Sequence, residues 1–354
     1  MNKTYINGLG CISAQKTFDT VFFVEAILNE SENILPLQIP VYKDFIPPVA
    51  IRRMAKGVKN GIVAASLAMK SAYVAHVDMI ITGTGMGCIE DSDKFLKSII
   101  ENNEEFLTPT SFIQSTHNTV GAQIALGLQC KGYNFTYVNG AVSFESALMD
   151  SKMKIEEEEA KTILCGAVDE IAEHTMSLLS LAGFIKDKNQ SPFSVLNPTT
   201  KGAVFSEGST FFILENEKKP HSYAEVLAVE IINKLEIEDI EPKAKDFLQT
   251  NGLQIEDIDA VILGFNGDVD FDIYYNKLSK NVFENTPQVY YKHLSGEYNT
   301  ASAFGLFVGS KIIKTQQIPT ILKVNLIEKT HYKTILLYNQ YRGLDHSFVL
   351  ISGC

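Results

Sequence analysis

Three glycine-rich turns beside apolar runs are where this 354-residue chain could do chemistry. In the second, NFTYV runs through Asn139-Gly140 straight into AVSFESAL, which reads as strand, sharp turn and helix. An elbow of that kind presents one side chain and aims the first amides of a helix beside it, an arrangement that can hold a nucleophile and an oxyanion. Ala141 and Val142 cannot attack anything, and Ser143 reads as a helix N-cap with Ser146 further on, so the local sequence gives an ordinary βα turn. The first turn, Gly83-Thr-Gly-Met-Gly87, follows the strand-like DMIIT. Its G-x-G-x-G spacing departs from the dinucleotide fingerprint G-x-G-x-x-G, and no strand carrying a ribose-binding acid follows about 20 residues later. The third turn, KGAVFSEG, leads into STFFILE and offers Glu207 as a structural or catalytic acid. The five cysteines are scattered without a C-x-x-C pair, which argues against a disulfide framework or structural zinc; no metal is expected.

Short apolar runs at 4–6, 79–82, 134–138, 162–165, 209–214, 260–263, 320–324 and 348–351 read as strands. Helical patterns cover 58–73, 91–101, 118–128, 143–155, 241–252 and 300–315, so the class is α/β. The stretch 186–201 reads as a long ordered loop, and loops beyond roughly 12–15 residues usually serve a function. A polar, Pro-terminated hinge at 215–220 divides the chain into two α/β halves. The formal net charge of −11 argues against nucleic acid or an anionic membrane as partner. No apolar run reaches the roughly 18 residues of a membrane span, and the first residues lack a signal-peptide core, so the expected compartment is the cytoplasm.

The order of INGLGCIS, GIVAASLAM, GTGMG, the elbow, CGAVDE, KGAVFSEGS and YKHLSGE resembles the β-ketoacyl synthases of fatty-acid and polyketide assembly, from residue 6 to residue 347. The most specific matches are 202–208, where the family reads D-G-F-V-x-[GS]-E-G, and 165–170, where it reads A-G-G-x-E. The resemblance implies a thiolase-like five-layer α-β-α-β-α sandwich of two related halves, here 1–215 and 221–354, dimeric through the strand ahead of the elbow, with no cofactor. It places the family's nucleophilic cysteine at Ala141, its first histidine at Asn266 and its second at Glu297, and it retains the buried lysine as Lys292. Phe144 and Glu145 fall where the acyl channel passes the elbow. Asn118, Arg342 and His346 fall along the tunnel, whose G-F-G-G-T-N loop is replaced by RGLDH.

Transacylation needs a thiolate, which Ala141 does not supply. Decarboxylation needs donors for a developing enolate; Asn266 can donate one hydrogen bond, whereas an ionised Glu297 would repel that charge. The resemblance therefore points to the branch of chain-length factors, or ketosynthase β-subunits, and TPTSFIQSTHNTVGAQIAL at 108–126 is most similar to its aryl-polyene members. The expected function is a non-catalytic subunit paired with an active β-ketoacyl-[acyl carrier protein] synthase in fatty-acid or polyketide-type biosynthesis. One alternative is an active synthase or acyltransferase with a non-standard nucleophile such as Ser143, with His293 and His346 near the pocket. The other is a homodimeric acyl-binding protein. Acyl carrier protein is the second expected partner, docking at Arg52 and Arg53. A cysteine placed at position 141 would sit at a helix N-terminus and is expected to be activated.

Overall fold

The computed structural model describes residues 2–18 and 22–354. Ten strands form one sheet: β1 (Tyr5–Ile12), β2 (Met79–Gly83), β3 (Asn134–Tyr137), β4 (Thr162–Asp169), β5 (Gly208–Glu215), β6 (Ala224–Asn233), β7 (Ala260–Leu263), β8 (Gln288–Tyr290), β9 (Thr334–Tyr341) and β10 (Asp345–Ser352). Their spatial order is β3-β2-β4-β5-β1-β6-β10-β9-β7-β8. The first five strands read 3-2-4-5-1 across their half, and the next five repeat that order as 8-7-9-10-6. The pairing repeats as well: two parallel neighbours at each outer end, then antiparallel pairs toward the middle. The halves join where Tyr5 and Ile6 of β1 pair with Glu225 and Ala224 of β6.

Three apolar cores give the layering. One packs helix Lys56–Ala72 on the outer face of the first half, against Ile80, Leu164, Phe211 and Ile213. A second packs helix Ile240–Thr250 on the outer face of the second half, against Val261, Leu336 and Phe348. The third lies between the half-sheets and holds helices Ser143–Glu156 and Ser302–Thr315, with Phe144, Leu148, Phe304 and Val308 buried among residues of both. Helix, sheet, helices, sheet, helix is the expected α-β-α-β-α sandwich. The two central helices hold corresponding places, one after β3 and the other after β8.

β1 extends well beyond the expected 4–6 because Gly8 and Gly10, which read as strand breakers, are contact points. A Cβ on Gly8 would come within 2.8 Å of the Ala72 Cβ, and one on Gly10 within 2.9 Å of the Leu67 Cβ. The run 320–324 is not a strand. Pro319 starts a short 3-10 helix at Thr320–Leu322, which leaves a single bridge from Lys323 to Val289. Among the described residues, no helix is long and apolar enough to cross a membrane.

Candidate functional site

The site forms where the two central helices begin. After β3 the chain turns through Gly140, whose φ is +55°, into a 3-10 turn at Gly140–Val142 and then helix Ser143–Glu156. Ser143 is buried and fully engaged: its Oγ donates to the Gly140 carbonyl at 2.7 Å and accepts the Asn139 N–H at 2.8 Å. It is the staple of the turn and has no base beside it among these contacts. Ala141 is 2% exposed.

In the second half the chain after β8 forms a short helix at Lys292–Ser295 and turns at Gly296, whose φ is +71°. This brings Glu297 back over Lys292, and Lys292 Nζ donates to Glu297 Oε2 at 2.7 Å with side-chain exposures of 1% and 2%. Asn266 Nδ2 donates to the same oxygen at 2.7 Å. Asn266 Oδ1 in turn accepts the Asp268 N–H at 3.0 Å, while the Asp272 carboxylate holds the N–H groups of Asn266 and Gly267. Burial pushes the Asp272 carboxyl up to about 7. The backbone of Glu297 is fixed on both sides, by its N–H to Val204 and by the Ser206 N–H to its carbonyl.

Glu145 is fully buried and accepts from Ser347 Oγ at 2.7 Å. Burial raises its pKa, while hydrogen bonding from Ser347 and the charge of Lys292 pull the other way. The folded chain thus holds this proton more tightly than the unfolded chain. Stability from that proton is present below the unfolded carboxyl range, near about 4.3, and is lost as pH rises toward the folded value. Glu145→Gln keeps the shape without the titration. Between pH 5 and pH 8 its urea midpoint should hold up better than that of the unmodified protein; parallel midpoints would reject this account.

The remaining motifs are structural. The Asp169 carboxylate takes the N–H groups of Gly85 and Met86 with one oxygen and both the N–H and hydroxyl of Thr300 with the other. The amides of the GTGMG turn are therefore spent on an internal acid, consistent with its departure from a dinucleotide site. Glu207 pairs with Lys56 at 2.8 Å and accepts the Ile171 N–H. His293 is stacked on Tyr290 with Nε2 on the Ile321 carbonyl, and burial lowers its pKa to about 3. Among the described residues, no group of three or more His, Cys, Asp or Glu side chains could hold a metal ion.

The structure thus brings Asn266, Lys292 and Glu297 into one buried network. Phe144 turns into the central core against Phe212, with ring centroids 5.6 Å apart. His346 is buried with Nδ1 on the Tyr338 hydroxyl at 3.0 Å, and Asn118 is exposed at the start of helix Thr119–Leu128. Arg342 stacks 3.7 Å over the Phe184 ring, and Arg52 and Arg53 are exposed. Two further residues belong to the site. Lys186, 2% exposed, donates to Thr200 Oγ1, the Thr200 carbonyl and the Gly267 carbonyl, so it ties the long 186–201 loop to the Asn266 turn. The length of that loop was the only sequence signal. Asp345 lies against Gly140, a contact no sequence spacing announces.

The sequence profile of the family described as "Beta-ketoacyl synthase, N-terminal domain" matches residues 44–219. Residues 44–219 belong to the β-ketoacyl synthase family. Its fold is shared with the ishigamide ketosynthase/chain length factor (TM-score 0.83, 15% identity, 100% of this chain and 99% of that chain). It is also shared with a beta-ketoacyl synthase from Burkholderia phymatum STM815 (TM-score 0.81, 14% identity, 100% of both chains). A third similar structure is the ketosynthase ApeO in complex with its chain length factor ApeC from Xenorhabdus doucetiae (TM-score 0.76, 14% identity, 100% of this chain and 98% of that chain). No curated protein matches the sequence. Within the β-ketoacyl synthase frame the elbow after β3 and the Gly296 turn after β8 are topological counterparts, since each follows the outermost strand of its half and precedes a central helix.

Proposed function

We propose that this β-ketoacyl synthase homologue is a non-catalytic subunit of the chain-length-factor type, which assembles with an active synthase that condenses acyl and malonyl units carried on acyl carrier protein. The observation that carries the reading is the Lys292–Glu297–Asn266 network. At the position assigned to the second histidine stands a carboxylate whose same oxygen accepts from a buried ammonium and from a carboxamide. That oxygen is an acceptor where an enolate needs a donor, and Ala141 brings no lone pair. Ser143, the alternative nucleophile, has its hydroxyl committed to its own turn. Structures of the same fold include a ketosynthase with its chain length factor and a type II acyl carrier protein with its ketosynthase, which favours those two partners. The aryl-polyene assignment within this reading rests on the 108–126 segment.

The test is co-expression with an active ketosynthase from the same organism, followed by a condensation assay with malonyl- and acyl-carrier protein. The pair should co-purify and condense, and this chain alone should do neither acyl transfer nor condensation. Acylation of the isolated chain by acyl-carrier protein would overturn the reading.

A further inference from the structure

The turn between β9 and β10 is fastened on every side. Asp345 opens β10 between Asn233 and Tyr341, and Asn233 Nδ2 donates to its Oδ1 at 3.2 Å. Its other oxygen faces the elbow, where a Cβ on Gly140 would sit 3.5 Å away. Three residues earlier, the Arg342 guanidinium lies 3.7 Å above the Phe184 ring and 4.7 Å from that of Phe271, with Asp268 Oδ2 at 3.9 Å. Arg342 and Gly343 both have positive φ, +52° and +67°, a conformation uncommon for a side-chain-bearing residue. The Gly343 N–H donates to Gln340 Oε1 at 2.9 Å, which closes the turn.

We propose that this turn is a built-in occupant of the elbow: Asp345 holds a carboxylate against the backbone at Gly140 and Ala141, Arg342 locks it there, and the elbow is closed to an incoming acyl carbonyl whatever side chain residue 141 carries. The inference rests on Ala141 standing at the elbow, as in the functional reading above. A carboxylate is a favourable neighbour for backbone amides at a helix start, and an acyl carbonyl becoming an oxyanion would need those same amides. Negative charge and occupied space both exclude it. The Ala141 N–H offsets part of the upward push that burial exerts on the Asp345 carboxyl. This reverses the expectation for a cysteine at position 141: a buried thiol beside a carboxylate is deactivated, not activated.

Alkylation of the Ala141→Cys variant by iodoacetamide, followed residue by residue by peptide mass spectrometry, tests this on the full chain. Exposed Cys354 is the internal reference, and buried Cys11, Cys88 and Cys165 report any loss of fold. The thiol at position 141 should react at least about 100-fold more slowly than Cys354, and adding Asp345→Ala or Arg342→Ala should accelerate it at least about tenfold with the three buried cysteines unlabelled. Asp345→Ser, which keeps a partner for Asn233, replaces Asp345→Ala if that variant exposes the buried cysteines. Labelling at position 141 as fast as at Cys354 in the single variant overturns the proposal, and so does a rate that neither second substitution raises. Condensation by the unmodified chain would instead refute the functional reading and leaves the alkylation result to stand by itself.

Discussion

Replacing Glu297 by leucine should destabilise the chain by about 3–5 kcal/mol, because it strands the Lys292 ammonium in the core without its counter-charge. A domain's whole stability is of order 5–15 kcal/mol, so the variant should unfold at a far lower urea concentration or accumulate as inclusion bodies. The Asn266 carboxamide loses its acceptor as well, which adds to the cost. Glu297→Gln keeps one acceptor oxygen and should fall between the two. The double variant Lys292→Met/Glu297→Leu removes both charges and should recover most of the loss, since well-packed apolar replacements of a buried pair are often neutral or stabilising. Equilibrium urea unfolding of the four proteins decides the matter; a Glu297→Leu cost below about 1 kcal/mol would mean that Lys292 does not depend on Glu297 as its partner. The functional corollary is direct. Restoring a histidine at 297 also removes the partner of Lys292, so activity cannot be rebuilt there without repairing the charge balance.

How much of this was legible depended on whether a side chain's role was local. β7 was read to the residue because its four apolar side chains are buried on both faces, and the long helices were placed to within about two residues by their periodicity. β9 was missed although it is central to its half. Its second part, Tyr338-Asn-Gln-Tyr341, reads as polar, yet Asn339 and Gln340 are buried and paired, with Asn339 Oδ1 accepting from the hydroxyls of both Tyr275 and Tyr291. Hydropathy does not register a polar side chain whose partner lies far along the chain. β6 was lost for a related reason: Glu225 and Glu230 interrupt its apolar run, and its side chains are mostly half-buried. At the site, the order of family motifs was enough to name Asn266, Lys292 and Glu297 together. It could not foresee that the replacements bind one another, because that depends on the Gly296 turn folding Glu297 back over Lys292 and on β7 bringing Asn266 across from a distant part of the sequence. The contacts of Asp345 and Lys186 were hidden on the same ground, each acting on a turn that only the folded chain brings near.

Phe135→Lys should strongly weaken assembly while leaving the subunit folded. β3 is the outermost strand of its half and pairs on one side only, with β2. An uncovered strand edge is a template for another chain and is normally blunted by charge, proline or a bulge. β3 carries none of these, and instead presents stacked aromatic rings, Tyr133 on Phe135 at 5.8 Å and Phe135 against Tyr137 at 4.9 Å, with Phe135 44% exposed. Phe112, Ile113 and Leu126 are exposed in the chain leading up to it. A second chain of the same fold, placed across a two-fold axis, would extend the sheet through β3 and cover the rings. That partner would be another copy when the chain is expressed alone and the active ketosynthase when the two are made together. Buried aromatic anchors at interface centres commonly carry 2 kcal/mol or more, so a lysine at 135 should weaken either assembly by more than about thirtyfold in Kd. In sedimentation velocity at micromolar concentration the unmodified protein should run as a dimer. Phe135→Lys should run near the 39.3 kDa of one chain, with an unchanged far-ultraviolet circular dichroism spectrum. Phe135→Tyr, which keeps the ring, should still assemble. A monomeric unmodified protein, or a Phe135→Lys variant that still pairs with the ketosynthase, would move the interface away from β3 and leave its aromatic edge without a partner.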